Sequence, residues 1–72
     1  MPFIQVNIVE GVLPADKKRE LIAALTDAVA KVGGEGFRPM TRCIIQEIKS
    51  GDWGVGGKVL TTAEATPPAP SS

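Results

Sequence analysis

FIQVNIV, residues 3–9, puts Ile4, Val6 and Ile8 on one side of an extended chain and Gln5 and Asn7 on the other. That period of two is the pattern of a half-buried β-strand. A second stretch, TRCIIQEI at residues 41–48, is β-branched and apolar and reads as another strand. Between them Leu21, Ile22, Leu25, Ala28, Val29 and Val32 recur at three- and four-residue spacing, with Lys18, Glu20, Asp27 and Lys31 on the other faces. This predicts an amphipathic helix of about 17 residues on a 3.6-residue period. Pro14 suits its first position, where a missing N–H costs nothing, and Asp16 falls near the positive end of the dipole. Gly33-Gly34 supplies a left-handed stop, with Lys31 in the last turn. Strand, helix and strand in this order form one β-α-β unit with parallel strands.

Outward from that unit the chain is punctuated by turns. Glu10-Gly11 ends the first strand, and residues 35–40 read as irregular. SGDWGVGGKVL, residues 50–60, sets four glycines around Trp53 and predicts a turn followed by a short hairpin. The fold class is therefore α+β: residues 1–60 form a single β-α-β unit with a C-terminal hairpin. Residues 61–72, TTAEATPPAPSS, offer little to bury and predict a flexible Pro-rich tail, or an arm ordered only against a neighbour.

Composition narrows the function classes. The 72 residues carry 8 Lys plus Arg against 8 Asp plus Glu, a formal charge of zero. A nucleic-acid or anionic-membrane surface would show a basic excess. With no histidine and Cys43 as the only cysteine, a His/Cys metal cluster, an internal disulfide and a Ser-His-Asp or Cys-His pair within one chain are excluded. The first residues lack the basic and cleavage regions of a secretory leader, and apolar runs fall far short of the roughly 20 residues needed to span a bilayer. The expected location is the cytoplasm. A chain this short usually needs a disulfide, a metal or a partner subunit. A two-stranded parallel sheet with one helix also leaves a sheet face bare. Both arguments predict self-association or assembly with a related subunit.

Three residues could carry chemistry. Pro2, once Met1 is removed, would be a free secondary amine able to act as a general base if burial or cations lowered its pKa; the alternative is a tolerated strand opener. Arg42 stands in an apolar strand, where a guanidinium either faces a cleft or is an edge or salt-bridged residue. Trp53 either fills a core or interface or walls a substrate. The GVGG run at residues 54–57 lacks the Lys-Ser/Thr ending and following helix of a phosphate loop.

In order along the chain stand Pro2 opening a strand, the Glu10-Gly11 turn, the Lys-Arg-Glu-Leu-Ile helix opening, Arg42 before Cys43-Ile44-Ile45, Glu47, and Gly51-Asp52-Trp53-Gly54-Val55-Gly56-Gly57. This set resembles the 4-oxalocrotonate tautomerase family, from Pro2 to about Leu60. The resemblance implies a cofactor-independent, metal-free isomerase of enol and 2-oxo acids. In it Pro2 is the general base and Arg42 binds the substrate carboxylate, usually in a neighbouring subunit's site. Trp53 takes the place of an aromatic wall residue that is more often phenylalanine. It also implies a hexamer, a trimer of dimers. The family's other substrate-binding arginine would fall at position 12, which is Val12, so a dicarboxylate substrate loses a partner. Related dehalogenases carry a water-activating acid where Val55 stands, and neither Glu47 nor Asp52 occupies that place. The alternative is a complementary or structural subunit of a hetero-oligomeric enzyme, with little activity alone. Arg38 is the first substitute for Arg42 as anion anchor.

Overall fold

A computed structural model describes residues 2–68. β1 (Phe3–Val9) is followed by α1 (Ala15–Gly33), a 3-10 turn (Glu35–Met40) and β2 (Arg42–Ile48). β3 (Trp53–Val55), β4 (Lys58–Leu60) and a single helical turn, α2 (Thr62–Ala65), complete the order. β1 and β2 are parallel, paired from Phe3–Arg42 to Val9–Ile48. The β-α-β unit and the hairpin are those the sequence predicts.

Alternation along the paired strands sorts the side chains into two faces. Ile4, Val6, Ile8, Cys43, Ile45 and Glu47 share one face, and Phe3, Gln5, Asn7, Val9, Arg42, Ile44, Gln46 and Ile48 share the other. α1 covers the first, since Lys18 Nζ on the helix meets Glu47 Oε2 at 2.8 Å. The second face is not the continuous Ile/Val surface that the β-branched strands suggest. Gln5 Nε2 donates to Gln46 Oε1 at 2.9 Å and to Asn7 Oδ1 at 3.2 Å, forming an amide cluster between Phe3 and Ile44 at one end and Val9 and Ile48 at the other.

Pro14 is the residue before α1 rather than its first member, with extended φ −70° and ψ 166°, and its carbonyl accepts from the Lys17 and Lys18 N–H groups. The helix ends at Gly34, whose φ of 112° an L side chain rarely adopts. The apolar stripe is offset from the one read off the sequence. Ile22, Leu25, Thr26, Val29 and Ala30 are buried or half-buried, whereas Ala28 is exposed and Val32 is 89% exposed. A 100° step per residue carries Ala28 and Val32 to the flank of a sheet only two strands wide. Thr26 is accommodated because its hydroxyl donates to the Ile22 carbonyl at 2.9 Å.

In the hairpin, Gly56 (φ 60°) and Gly57 (φ 84°) join β3 to β4, with Val55 opposite Lys58. Two successive positive φ values define the tight hairpin turn that matches strand twist, and glycine takes them without strain.

The stretch read as a flexible tail, or an arm ordered only against a neighbour, begins with a helical turn held by its own chain. Thr61 and Glu64 form a reciprocal capping box around α2. Thr62 Oγ1 donates to the Glu10 carbonyl at 2.8 Å, and the Thr62 N–H donates to Ser50 Oγ at 2.9 Å. Composition missed this because the segment is held by polar bonds rather than by burial. The last four residues of the expected tail, 69–72, lie outside the described residues.

Among the described residues only Val9 (4% exposed) and Ala30 (2% exposed) are fully buried. No helix among them is long and apolar enough to cross a membrane.

Candidate functional site

The three residues singled out by the sequence line different clefts of the chain. Pro2 precedes β1 and lines an apolar cleft of about 370 Å³ with Ala28, Val29, Val32, Gly33 and Phe37 at the C-terminal end of α1. Among the described residues no titratable side chain lines this cleft. An apolar surround disfavours a charged amine.

Arg42 starts β2 beside it. Its N–H donates to the Pro2 carbonyl at 2.9 Å, but its register partner is Phe3, so its side chain belongs to the opposite sheet face. There it lines a cleft of about 630 Å³ with Phe3, Pro39 and Met40. The residue is exposed, and among the described residues its guanidinium forms no ion pair.

Trp53 lies beyond the other end of β2. It stands between a cleft bordered by Asn7, Gln46 and Asp52 and another bordered by Val9, Val12 and Leu60. Neither of these clefts is lined by Pro2 or by Arg42. A single chain therefore does not bring Pro2, Arg42 and Trp53 into one pocket.

The remaining charged candidates have structural duties. Arg38 Nε and Nη2 donate to Glu35 Oε1 and Oε2 at 2.9 and 3.2 Å, and Nη1 donates to Asp27 Oδ1. These bonds from Arg38 hold the Glu35 carboxyl below the usual carboxylate range and raise the guanidinium's own pKa. A guanidinium so occupied is a weak substitute for Arg42 as anion anchor. Glu47 takes the Lys18 ammonium and the Gly11 N–H, the latter at 3.4 Å. The hydrogen bond from Lys18 is the main cause of its lowered pKa. Among the described residues no three His, Cys, Asp or Glu side chains are grouped as a metal site requires.

Phe37, and Val32, which read only as part of the helix stripe, also wall the Pro2 cleft. The available signal was a lone aromatic in the polar segment at residues 35–40 and a valine at the very end of the helix stripe.

A strand-opening proline in an apolar cleft and an exposed arginine on the adjoining strand sit on a β-α-β-hairpin frame that known proteins share. The family model described as "Tautomerase enzyme" matches residues 2–63. A probable tautomerase of Ralstonia nicotianae is 43% identical over 68 residues, covering 93% of this chain and 93% of that protein. A probable tautomerase of Dickeya dadantii is 33% identical over 61 residues, covering 85% of this chain and 90% of that one. The crystal structure of an apo unfused 4-oxalocrotonate tautomerase superposes with a TM-score of 0.74 at 36% identity, covering 82% of this chain and 93% of its own.

The chain belongs to the 4-oxalocrotonate tautomerase family.

Membership carries a tautomerase-type, isomerase function. The family match extends to residue 63, past β4 and into α2, so the ordered part of the expected tail adjoins the shared frame rather than a separate appendage.

Proposed function

We propose that this chain is a cofactor-independent keto–enol tautomerase of a 2-oxo acid, working in the cytoplasm as a self-associated oligomer of the hexameric, trimer-of-dimers kind. Pro2, freed by removal of Met1, is the general base. Arg42 is the carboxylate anchor and Trp53 an apolar wall, each reaching the Pro2 of another copy. The observation that carries this reading is the cleft at Pro2, formed by Ala28, Val29, Val32, Gly33 and Phe37 without a charged side chain. Such surroundings favour the neutral amine, so its pKa falls below the α-amino range of about 7.7–8.0.

The neutral nitrogen takes a proton from the enol hydroxyl, or from the carbon beside the carbonyl, and becomes a secondary ammonium. Negative charge spreads over the dienolate, where a guanidinium paired with the carboxylate and 2-oxygen stabilises it. The ammonium then returns the same proton to a conjugated carbon. Atoms and electrons balance within the substrate, and the base is regenerated.

Separation of the three residues within one chain supports assembly as part of the mechanism. So do the exposed apolar groups, with Phe3 59% and Ile44 44% exposed on the uncovered sheet face. The test compares protein beginning at Pro2, verified by intact mass, with protein acylated selectively at that amine, using an enol acid as substrate. Loss of kcat/KM on blocking, with assembly unchanged, is the expected result. Retained turnover would assign the base elsewhere.

A further inference from the structure

We infer that Phe37 is the positioning residue for Pro2: its ring, seated on the bare backbone of Gly33, closes the apolar cleft at the strand opening and keeps water from the proline nitrogen. The inference deepens the proposed function and rests on its reading of Pro2 as the base. Among the described residues Phe37 is the one aromatic side chain that lines the cleft with Pro2.

The seat is written in the glycine. Gly33 is the last residue of α1, and a methyl group on its Cα would stand 2.8 Å from Phe37 Cδ2 and 3.1 Å from Cε2. Carbon atoms pack best at about 3.5–4.0 Å, so the ring takes the space that a side chain would need. Gly34 beside it meets a different demand, with φ at 112° and nothing within 4 Å of where its Cβ would lie. Both backbone groups of Phe37 are also engaged. Its N–H donates to the Gly34 carbonyl at 3.1 Å, and its carbonyl accepts from Thr41 Oγ1 at 2.7 Å.

Hydration, rather than charge, is what this ring controls. From α1 only Ala28, Val29, Val32 and Gly33 face the cleft, and Lys31 in the last turn does not line it. On β2, Cys43 pairs with Ile4 under the helix, and the Arg42 side chain belongs to the opposite face. In the 3-10 turn, Arg38 is taken up by Glu35 and Asp27. Water readmitted to the amine would favour its charged form, which cannot accept a proton.

The test uses the assembled full chain beginning at Pro2, verified by intact mass. The amine is titrated directly by the pH dependence of its acylation rate, and kcat/KM for an enol acid is followed over the same range. Phe37→Ala is expected to raise the midpoint of both curves by roughly half to one pH unit, so that kcat/KM falls about 3- to 10-fold on the acid limb and recovers once the amine is neutral. Gly33→Ala, which displaces the ring, should move both midpoints the same way while the melting temperature holds or rises, since alanine is the better helix former. Phe37→Leu should return the midpoints toward the parent's. Arg38→Ala, which loosens the same turn and leaves the ring intact, should not move them. Midpoints unmoved in both Phe37→Ala and Gly33→Ala would overturn the inference, and so would an equal shift in Arg38→Ala. If the fully acylated protein still turns over, the base reading fails, while the acylation midpoints still decide the role of Phe37.

Discussion

The Arg42 N–H donates to the Pro2 carbonyl at 2.9 Å, yet the two side chains serve opposite faces of the sheet. Parallel pairing makes the proposed base and anchor backbone neighbours while alternation points them apart. With Trp53 at the far end of β2, one chain leaves the three residues in different clefts.

Assembly should therefore be required for activity. Ile44, exposed between Gln5 and Arg42 on the uncovered face, is the residue to change. Ile44→Asp is expected to shift sedimentation toward smaller species at micromolar concentration and to lower kcat/KM in parallel. A variant that is monomeric and fully active would remove the shared-site reading.

Arg42 and Arg38 should separate cleanly. Arg42→Ala is expected to lower kcat/KM for an enol acid by roughly 100-fold, with little change in melting temperature, because its guanidinium has no ion-pair partner among the described residues. Arg38→Ala should do the reverse, loosening the link to Glu35 and Asp27 while sparing turnover. Kinetics and thermal melts on the same samples check both.

Acid should weaken the tie between α1 and β2. Lys18 lowers the folded pKa of Glu47, so the stabilisation is present above the unfolded carboxylate pKa and is lost as pH falls through the lower folded value. Glu47→Gln is expected to be less stable than the parent at pH 7, with the gap narrowing at acid pH as the folded carboxyl is protonated. The pair is partly exposed, so added salt should shrink the gap as well. Urea titrations at the two pH values measure it.

Two changes near the C-terminus should differ in effect. Removing residues 67–72 is expected to leave activity within a few-fold. Thr62→Val deletes the hydroxyl that donates to the Glu10 carbonyl and should cost about 1 kcal/mol, read as a lower urea midpoint. A larger activity loss from the truncation than from Thr62→Val would make residues 67–72 part of the site.

For a single-domain chain, local pattern carried much. Alternation at Ile4, Val6 and Ile8, the three-and-four spacing through α1 and the glycine pair at Gly56-Gly57 announce their elements because each is dictated by neighbours within a few residues. The sequence also singled out Pro2, Arg42 and Trp53 as residue types suited to proton transfer and anion binding.

Their spatial relation was decided by the tertiary structure. Which residues share a sheet face depends on register, and a pairing of Phe3 rather than Pro2 with Arg42 sends the proposed base and the proposed anchor to different sides. The ordering of α2 depends on hydroxyl and carbonyl groups far apart in the chain, Thr62 meeting Glu10 and Ser50, which no local periodicity encodes. Arg38 stood as the first alternative to Arg42 in the sequence, and folding brings Asp27 to it across the helix end. Local propensity fixes the elements through short-range sterics, whereas faces, clefts and ion pairs come from contacts whose partners only the folded chain selects.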